Sequence, residues 1–185
     1  MHNVLVTGAA MPIGERLVRT LLNDSRVGHV MAVTGDAPST FPIQESARLS
    51  VIQVDLARHR RVHNLLFGAA KKKNIDVVVH NAMHRSAYAE GSSVHAFNVV
   101  TLRACIAFSE RHPTIRHLIV QSAADVYQVQ RDLPILIEED HPLNMAGHAP
   151  QWIRDRVEAD VTACTRMGLS PLRIIVLRMT EVLAP

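Results

Sequence analysis

Short apolar runs alternate along the chain with stretches in which apolar residues recur at helical spacing. The apolar runs predict strands at 3–7, 29–34, 49–55, 75–80, 115–122 and 172–178. The helically spaced stretches predict helices near 12–23, 58–71, 93–111 and 151–167. Continuous apolar strands separated by helices are typical of a parallel sheet that is covered on both faces. The pattern therefore predicts an α/β fold: a Rossmann-like doubly wound parallel sheet with helices on both faces, in a single domain over residues 1–185.

Two longer stretches, 35–48 and 124–150, lack either pattern, and both contain prolines. In a doubly wound sheet, the loops that follow the carboxyl ends of the strands line the ligand crevice. The stretch 124–150 follows the fifth predicted strand, so we expect it to border any ligand site.

Composition narrows the classes of function without identifying one. Lys and Arg total 20 against 17 Asp and Glu, a mild excess that gives little case for nucleic acid. The lysine run 71–73 predicts a solvated helix end. Cys105 and Cys164 lie in helical patterns without metal-ligand spacing, which favours a reducing compartment. No apolar run reaches the roughly 18 residues of a membrane span, and no signal peptide precedes the first strand, so we expect a cytoplasmic protein without a membrane partner.

The opening segment VLVTGAAMPIG joins a strand to a helix through small residues. Gly8 suits the tight turn, Gly14 suits close packing of helix on strand, and Pro12 suits the first helical position. Such a turn usually holds a dinucleotide pyrophosphate at the helix N-terminus. Met11, however, stands where the backbone should approach the phosphates. A tight turn that binds no ligand is the alternative interpretation of this segment.

Six segments, taken in chain order, match the motifs of one family: VTGAAMPIG, VIQVDLARHRRV, VVVHNAM, AFNVVTLRA, LIVQSAADVYQ and IIVLRMTEVLAP. Together they resemble the extended, epimerase/dehydratase-like branch of the short-chain dehydrogenase/reductase superfamily. The resemblance implies NAD or NADP as cofactor. Because Met11 stands in the path of the phosphates, we expect the dinucleotide to bind weakly or not at all. It implies these cofactor-binding positions: Gly8, Met11, Pro12, Ile13, Gly14, Asp55, Leu56, His80, Ala82 and Asn98. The last segment resembles the one that precedes the family's substrate-binding part, which the chain is expected to lack.

The three positions that the resemblance assigns to catalysis are all altered. The family's Ser or Thr falls on Ala123, four residues before Tyr127, and its Tyr and Lys fall on Trp152 and Arg156. The neighbouring Ser122 is expected on the opposite face of the strand. An indole N–H only donates, and a guanidinium is not a geometric substitute for an ammonium group. No catalytic residue of the family is therefore intact.

We therefore expect a degenerate domain that acts in nucleotide sensing or as a scaffold. The alternative is an active epimerase, dehydratase or reductase that uses a displaced group such as Tyr88 or Tyr127. The type of dinucleotide stays open, because Thr34 ends the second strand where an acidic residue would bind the ribose, and Asp36 is favoured as a turn residue.

Two further expectations concern metals and association. The i,i+4 pairs His59/His63 and His80/His84 are expected by coincidence among 11 histidines, so we predict no metal site. The segment 94–108 is apolar on nearly every face. The resemblance implies that the helices near 93–111 and 151–167 form a homodimer, which would bury Phe97, Leu102 or their neighbours.

Overall fold

A six-stranded parallel sheet forms the centre of the protein. The computed structural model describes residues 1–84, 90–132 and 136–180. The strands lie in the order β3-β2-β1-β4-β5-β6. β2 and β3 extend the sheet on one side of β1, and β4 to β6 extend it on the other, so the switch point of the topology lies between β1 and β4. Their bounds are β1 His2–Thr7, β2 Val27–Thr34, β3 Leu49–Gln53, β4 Val77–His80, β5 His117–Ala123 and β6 Arg173–Met179. This architecture confirms the predicted doubly wound α/β fold.

Four helical segments connect the strands. Helix α1 spans Pro12–Asn23 and α4 spans Gln151–Cys164. Helix α2 begins as His59–Asn64 and continues with π-helical turns over Leu65–Ala70. Helix α3 runs through Ser92–His95, a π-helical Ala96–Val100 and Thr101–Ser109. Short 3₁₀ turns occur at Pro38–Thr40 and Ala124–Val126.

The two faces of the sheet carry separate cores because successive residues of a strand point to opposite sides. In β1, Leu5 joins α2, α3 and α4 on one face, whereas Val4 and Val6 pack under α1 on the other. The α1 face is covered unevenly, since Ile175 and Leu177 of β6 are 42% and 44% exposed. The switch point between β1 and β4 thus lies where helices cover both faces.

Helix α3 is more deeply buried by its own chain than its sequence suggests. Leu102 is 0% exposed and Cys105 is 2% exposed, because α2 and α4 flank the helix. The expectation that Leu102 supplies a dimer contact is therefore wrong. Val100, on the outer side, is 36% exposed. Among the described residues, no helix has the length and apolar character needed to cross a membrane.

Candidate functional site

The turn after β1 requires glycine at two positions. Gly8 has φ +62°, and a Cβ placed there would lie 2.9 Å from the Cα of Ala82 in the segment after β4. A Cβ on Gly14 would overlap the carbonyl oxygen of Gly8 and lie 2.9 Å from the Cα of Ala9. The two glycines therefore let the start of α1 approach both β1 and the β4 end closely.

Met11 occupies the N-cap position of α1. Its backbone is extended, with φ −74° and ψ 152°, and its N–H donates to the Gly8 carbonyl oxygen at 3.0 Å. Pro12 follows at the first helical position, and Ile13 and Gly14 complete the start of the helix. The helix N-terminus is intact, and the half-buried Met11 side chain stands beside it.

A groove of about 220 Å³ opens beside this turn, at the carboxyl ends of β1, β2 and β3. The structure brings four of the predicted positions to its lining: Gly8, Met11, Leu56 and Ala82. The other lining residues were not assigned to the cofactor from the sequence: Ala10, Val33, Thr34, Gly35, Asp36, Val54 and Phe97.

Among the described residues that line the groove, Asp36 supplies the only acidic side chain. The hydroxyl of Thr34 donates to the backbone carbonyl oxygen of Asp36 at 2.6 Å, which makes the turn that sequence reasoning favoured. Asp36 also lines the groove, so the turn leaves the residue beside the space that a ligand would occupy. Its position two residues beyond the end of β2 is the signal that could have identified it.

Asp55 lies at the rim, apart from the groove lining. Its carboxylate accepts the Ala57 N–H at 3.1 Å and pairs with Arg58 at 3.2 Å, and the side chain is 57% exposed. The next residue, Leu56, is buried and does line the groove. The side chain of Asp55 therefore shapes the turn that carries Leu56.

His80 lies beneath the groove, with only 1% of its surface exposed. Thr7 Oγ1 accepts the amides of Asn81 and Ala82, at 3.2 and 3.3 Å, and lies 3.0 Å from His80 Nδ1. The hydroxyl proton of Thr7 is thus donated to Nδ1, which places the ring proton on Nε2. Nε2 has no hydrogen-bond partner in the described parts of the chain. Burial lowers the pKa of His80 to about 4, so the ring is neutral near pH 7.

Asn98 joins two helices and does not reach the groove. Its Oδ1 accepts the His84 N–H at 2.8 Å, and its Nδ2 donates to the Asp155 carboxylate at 3.2 Å. His95 Nδ1 lies 2.9 Å from the other carboxylate oxygen of Asp155. Asn98 therefore fixes α3 against α4, while its neighbour Phe97 faces the groove.

A second, much smaller cavity of about 20 Å³ lies at the carboxyl ends of β5 and β6. It brings Ala123 and Arg156, two of the positions assigned to catalysis, into one lining. The remaining lining residues are Met83, Gln121, Ser122, Met179 and Thr180. Trp152 stacks on the Arg156 guanidinium, 4.9 Å from ring centroid to Cζ.

Arg156 is held by an ion pair as well as by the indole. Its Nη1 donates to the carboxylate of Asp125, and only 3% of the arginine side chain is exposed. Asp125 lies in the 3₁₀ turn that directly follows β5. The ion pair therefore ties helix α4 to the end of β5.

A buried polar network lies behind this cavity. The hydroxyl of Ser122 donates to Asp160 at 2.6 Å, and Arg178 donates to both oxygens of the same carboxylate at 3.0 and 2.8 Å. The hydrogen bond to Asp160 raises the pKa of Arg178 above its ordinary value. Arg178 also donates to the phenol oxygen of Tyr127 at 2.9 Å. Tyr127 is 7% exposed and absent from the lining of both the groove and the cavity, whereas Tyr88 lies outside the described residues.

Comparison with known families decides the classification. The model of the NAD dependent epimerase/dehydratase family matches residues 4–149. The chain belongs to this family.

Solved structures of similar fold include enzymes that were crystallised with NAD. UDP-glucuronic acid 4-epimerase from Bacillus cereus is 21% identical with a TM-score of 0.78, over 99% of this chain and 57% of that chain. The enzyme WbmH from Bordetella bronchiseptica is 20% identical with a TM-score of 0.77, over 100% and 57%. dTDP-glucose 4,6-dehydratase from Bacillus anthracis is 22% identical with a TM-score of 0.76, over 96% and 54%. At these identities the likeness shows the fold.

An uncharacterized protein of Mycobacterium tuberculosis is 26% identical over 139 residues, which are 74% of this chain. An uncharacterized protein of Mycobacterium bovis matches to the same extent. The epimerase/dehydratase-family chain described here spans about a third of the length of these curated relatives, 36%.

Three of the four paired histidines of this family member pack on neighbouring rings. His59 and His63 lie 4.7 and 5.2 Å from the Phe108 ring, and His84 lies 4.6 Å from the Phe97 ring. The described residues contain no group of three or more His, Cys, Asp or Glu side chains that could hold a metal ion.

Proposed function

We propose that this epimerase/dehydratase-family domain binds an adenine dinucleotide without transferring hydride, and that it acts as a nucleotide sensor or scaffold. The observation that carries the proposal is the lining of the cavity at Ala123. Among the described residues of that lining, the one ionisable side chain is Arg156, which stays protonated at any physiological pH and cannot act as a general acid or base. Loss of a positioned acid or base costs roughly 10² to 10⁴ in rate.

The support for dinucleotide binding comes from the other end of the crevice. Gly8 and Gly14 let the start of α1 approach β1 and the end of β4 closely, and the groove opens beside the start of α1. Three of the similar solved structures were crystallised with NAD. Asp36 favours NAD over NADP, because a carboxylate in the groove accepts a ribose 2′-hydroxyl and repels a 2′-phosphate.

Met11 weakens this binding in our account, because its side chain projects into the groove where the pyrophosphate would pass. Calorimetry on Met11→Gly tests the point. NAD should bind about tenfold more tightly than to the unaltered chain, a gain of about 1.4 kcal/mol. Ala10→Gly is the matched control, since it adds the same backbone freedom one residue away. Equal affinity of Met11→Gly and the unaltered chain would show that the methionine swings aside.

A second candidate function is an active epimerase, dehydratase or reductase with a displaced group. Ser122 and Thr180 line the same cavity as Ala123, and their hydroxyl groups favour it, with the Ser122 hydroxyl donated to Asp160. Product analysis with sugar-nucleotide substrates, which detects redox-neutral epimerisation and dehydration, together with NADH absorbance for short carbonyl substrates, separates the two candidates. We expect no turnover. Turnover that Thr180→Ala or Ser122→Ala abolishes would establish the second candidate.

We also propose a twofold dimer through the outer faces of α3 and α4. The half-exposed Val100 and the Arg103–Glu158 ion pair at 2.6 Å lie on this side of the two helices. Light scattering at tens of micromolar should give twice the chain mass, and Val100→Asp should give the monomer. A monomeric unaltered chain would contradict the proposal.

A cytoplasmic location completes the proposal. Its support is that Cys105 and Cys164 are both free thiols, as in proteins of reducing compartments. Cell fractionation tests it, and recovery of the protein from an oxidising compartment would contradict it.

A further inference from the structure

The two halves of the crevice differ about tenfold in the space that they offer. The groove at Gly8 and Asp36 measures about 220 Å³, whereas the cavity at Ala123 and Arg156 measures about 20 Å³. A single water molecule needs roughly 10 to 15 Å³ by the same measure, so the smaller cavity holds about one water. A nicotinamide ring is several times larger than a water molecule. The described cavity therefore does not fit the redox end of a dinucleotide.

The side chains that fill the small cavity are held in place. Arg156 is 3% exposed, is ion-paired with Asp125 and is stacked against Trp152 at 4.9 Å. The carboxylate and the aromatic ring already fix the planar guanidinium, so keeping it in the cavity costs little further side-chain entropy. Moving Arg156 out of the cavity would break this ion pair and its stacking on the indole.

The same ion pair argues against an anionic ligand in the small cavity. The carboxylate of Asp125 balances the charge of Arg156, and the described part of the cavity lining contains no other cationic side chain. The open groove, in contrast, is lined by Asp36 and by Met11 at the N-terminus of α1. A ribose diol matches the Asp36 carboxylate, and a phosphate matches the N-terminus of α1.

We infer that the domain recognises its ligand through the ADP half alone and leaves the nicotinamide end of a dinucleotide unbound. The inference rests on the proposed dinucleotide binding and names the part of the ligand that is read. ADP, ADP-ribose, NAD⁺ and NADH then bind with similar affinity, so the domain responds to adenine nucleotides regardless of the redox state of the nicotinamide.

Calorimetry on the full chain tests the inference with five probes: ADP, ADP-ribose, NAD⁺, NADH and nicotinamide mononucleotide. The first four should have dissociation constants within threefold of one another, and the mononucleotide should not bind at millimolar concentration. NAD⁺ or NADH binding more than tenfold tighter than ADP would overturn the inference and leave the proposed function standing. Absence of binding by all five would overturn both.

A variant that opens the small cavity sharpens the test. In Trp152→Ala/Arg156→Ala, the freed space should admit the nicotinamide and raise the affinity for NAD⁺ at least fivefold relative to ADP. Arg154→Ala is the control, because it removes an exposed arginine of the same helix and should leave the ratio unchanged. Retained ADP binding shows that the variant is folded. An unchanged ratio in the folded double variant would contradict the role assigned to these two side chains.

Discussion

The amino-terminal half of the crevice is shaped by the backbone, whereas the carboxyl-terminal half is shaped by side chains. Around Gly8 and Gly14 the shape comes from the backbone, since any added Cβ meets main-chain atoms. Around Ala123 the shape comes from long side chains, with Arg156 in the cavity lining and Trp152 stacked against it. A backbone-built site is tied to the fold, whereas a side-chain-built site can be replaced without disturbing the sheet. Under the proposed function, this difference explains how the chain combines the family's fold and groove with a different chemical end.

The largest expected effect breaks the backbone-built end. Gly14→Ala forces α1 away from the Gly8 carbonyl and from Ala9, so the free energy of unfolding should fall by about 4 kcal/mol or more. The matched control is Gly68→Ala, where nothing lies within 4 Å of the added Cβ. In a helix interior that change should stabilise the protein by about 0.5 to 1 kcal/mol. Urea denaturation measures both, and a loss below 1 kcal/mol for Gly14→Ala would contradict the account.

The next prediction concerns a substitution that weakens the packing around the small cavity without changing the groove. Asp160→Asn leaves Arg178 without its buried anion and should cost about 3 kcal/mol of stability. Glu158→Gln, on the same helix, breaks the exposed pair with Arg103 and should cost about 0.5 kcal/mol or less. Denaturation and ADP binding should be measured together. Equal costs for the two variants, or lost ADP binding in folded Asp160→Asn, would count against the separation of the two halves.

A pH effect of intermediate size arises beneath the groove. Burial keeps His80 neutral with a pKa of about 4, whereas the unfolded chain takes up a proton below about 6.5. The contribution of His80 to stability is therefore complete above pH 6.5 and falls as the pH is lowered towards 4. Between pH 7 and pH 5 the loss should be about 2 kcal/mol.

Two variants assign this effect. His80→Gln should reduce the pH dependence of the unfolding free energy by about that amount, although burial also lowers the pKa of His29 and His112 and maintains part of the slope. The exposed His148→Gln should leave the slope unchanged. An identical slope in His80→Gln and the unaltered chain would show that His80 does not carry the effect.

The smallest effect concerns ligand choice within the groove. Asp36→Asn removes the charge that repels a 2′-phosphate, so the preference for NAD over NADP should fall about tenfold, or about 1.4 kcal/mol. Asp132→Asn makes the same chemical change at an exposed position outside the groove lining and serves as control. Calorimetry with both dinucleotides measures the ratio. A ratio that is equal in the two variants would remove Asp36 from the specificity argument.

The sequence predicted the features that local pattern determines. The bounds of α1 agree with the prediction, because Pro12 and the small residues before it mark its start. It did not predict that Leu102 would be sealed by α2 and α4, because that depends on how three helices pack. Asp36 was assigned to a turn alone, since a sequence does not show which side of a turn faces a groove. The small volume of the cavity at Ala123 could not be predicted either, because it depends on an ion pair between Asp125 and Arg156, which lie in two different elements.

A crystal structure of the unaltered chain grown with NAD tests the central claim most directly. The account predicts ordered adenosine and phosphates in the groove beside Asp36 and Gly8. It also predicts an intact Arg156–Asp125 ion pair, with the nicotinamide outside the small cavity. A nicotinamide ring seated against Ala123, with Arg156 displaced, would contradict it.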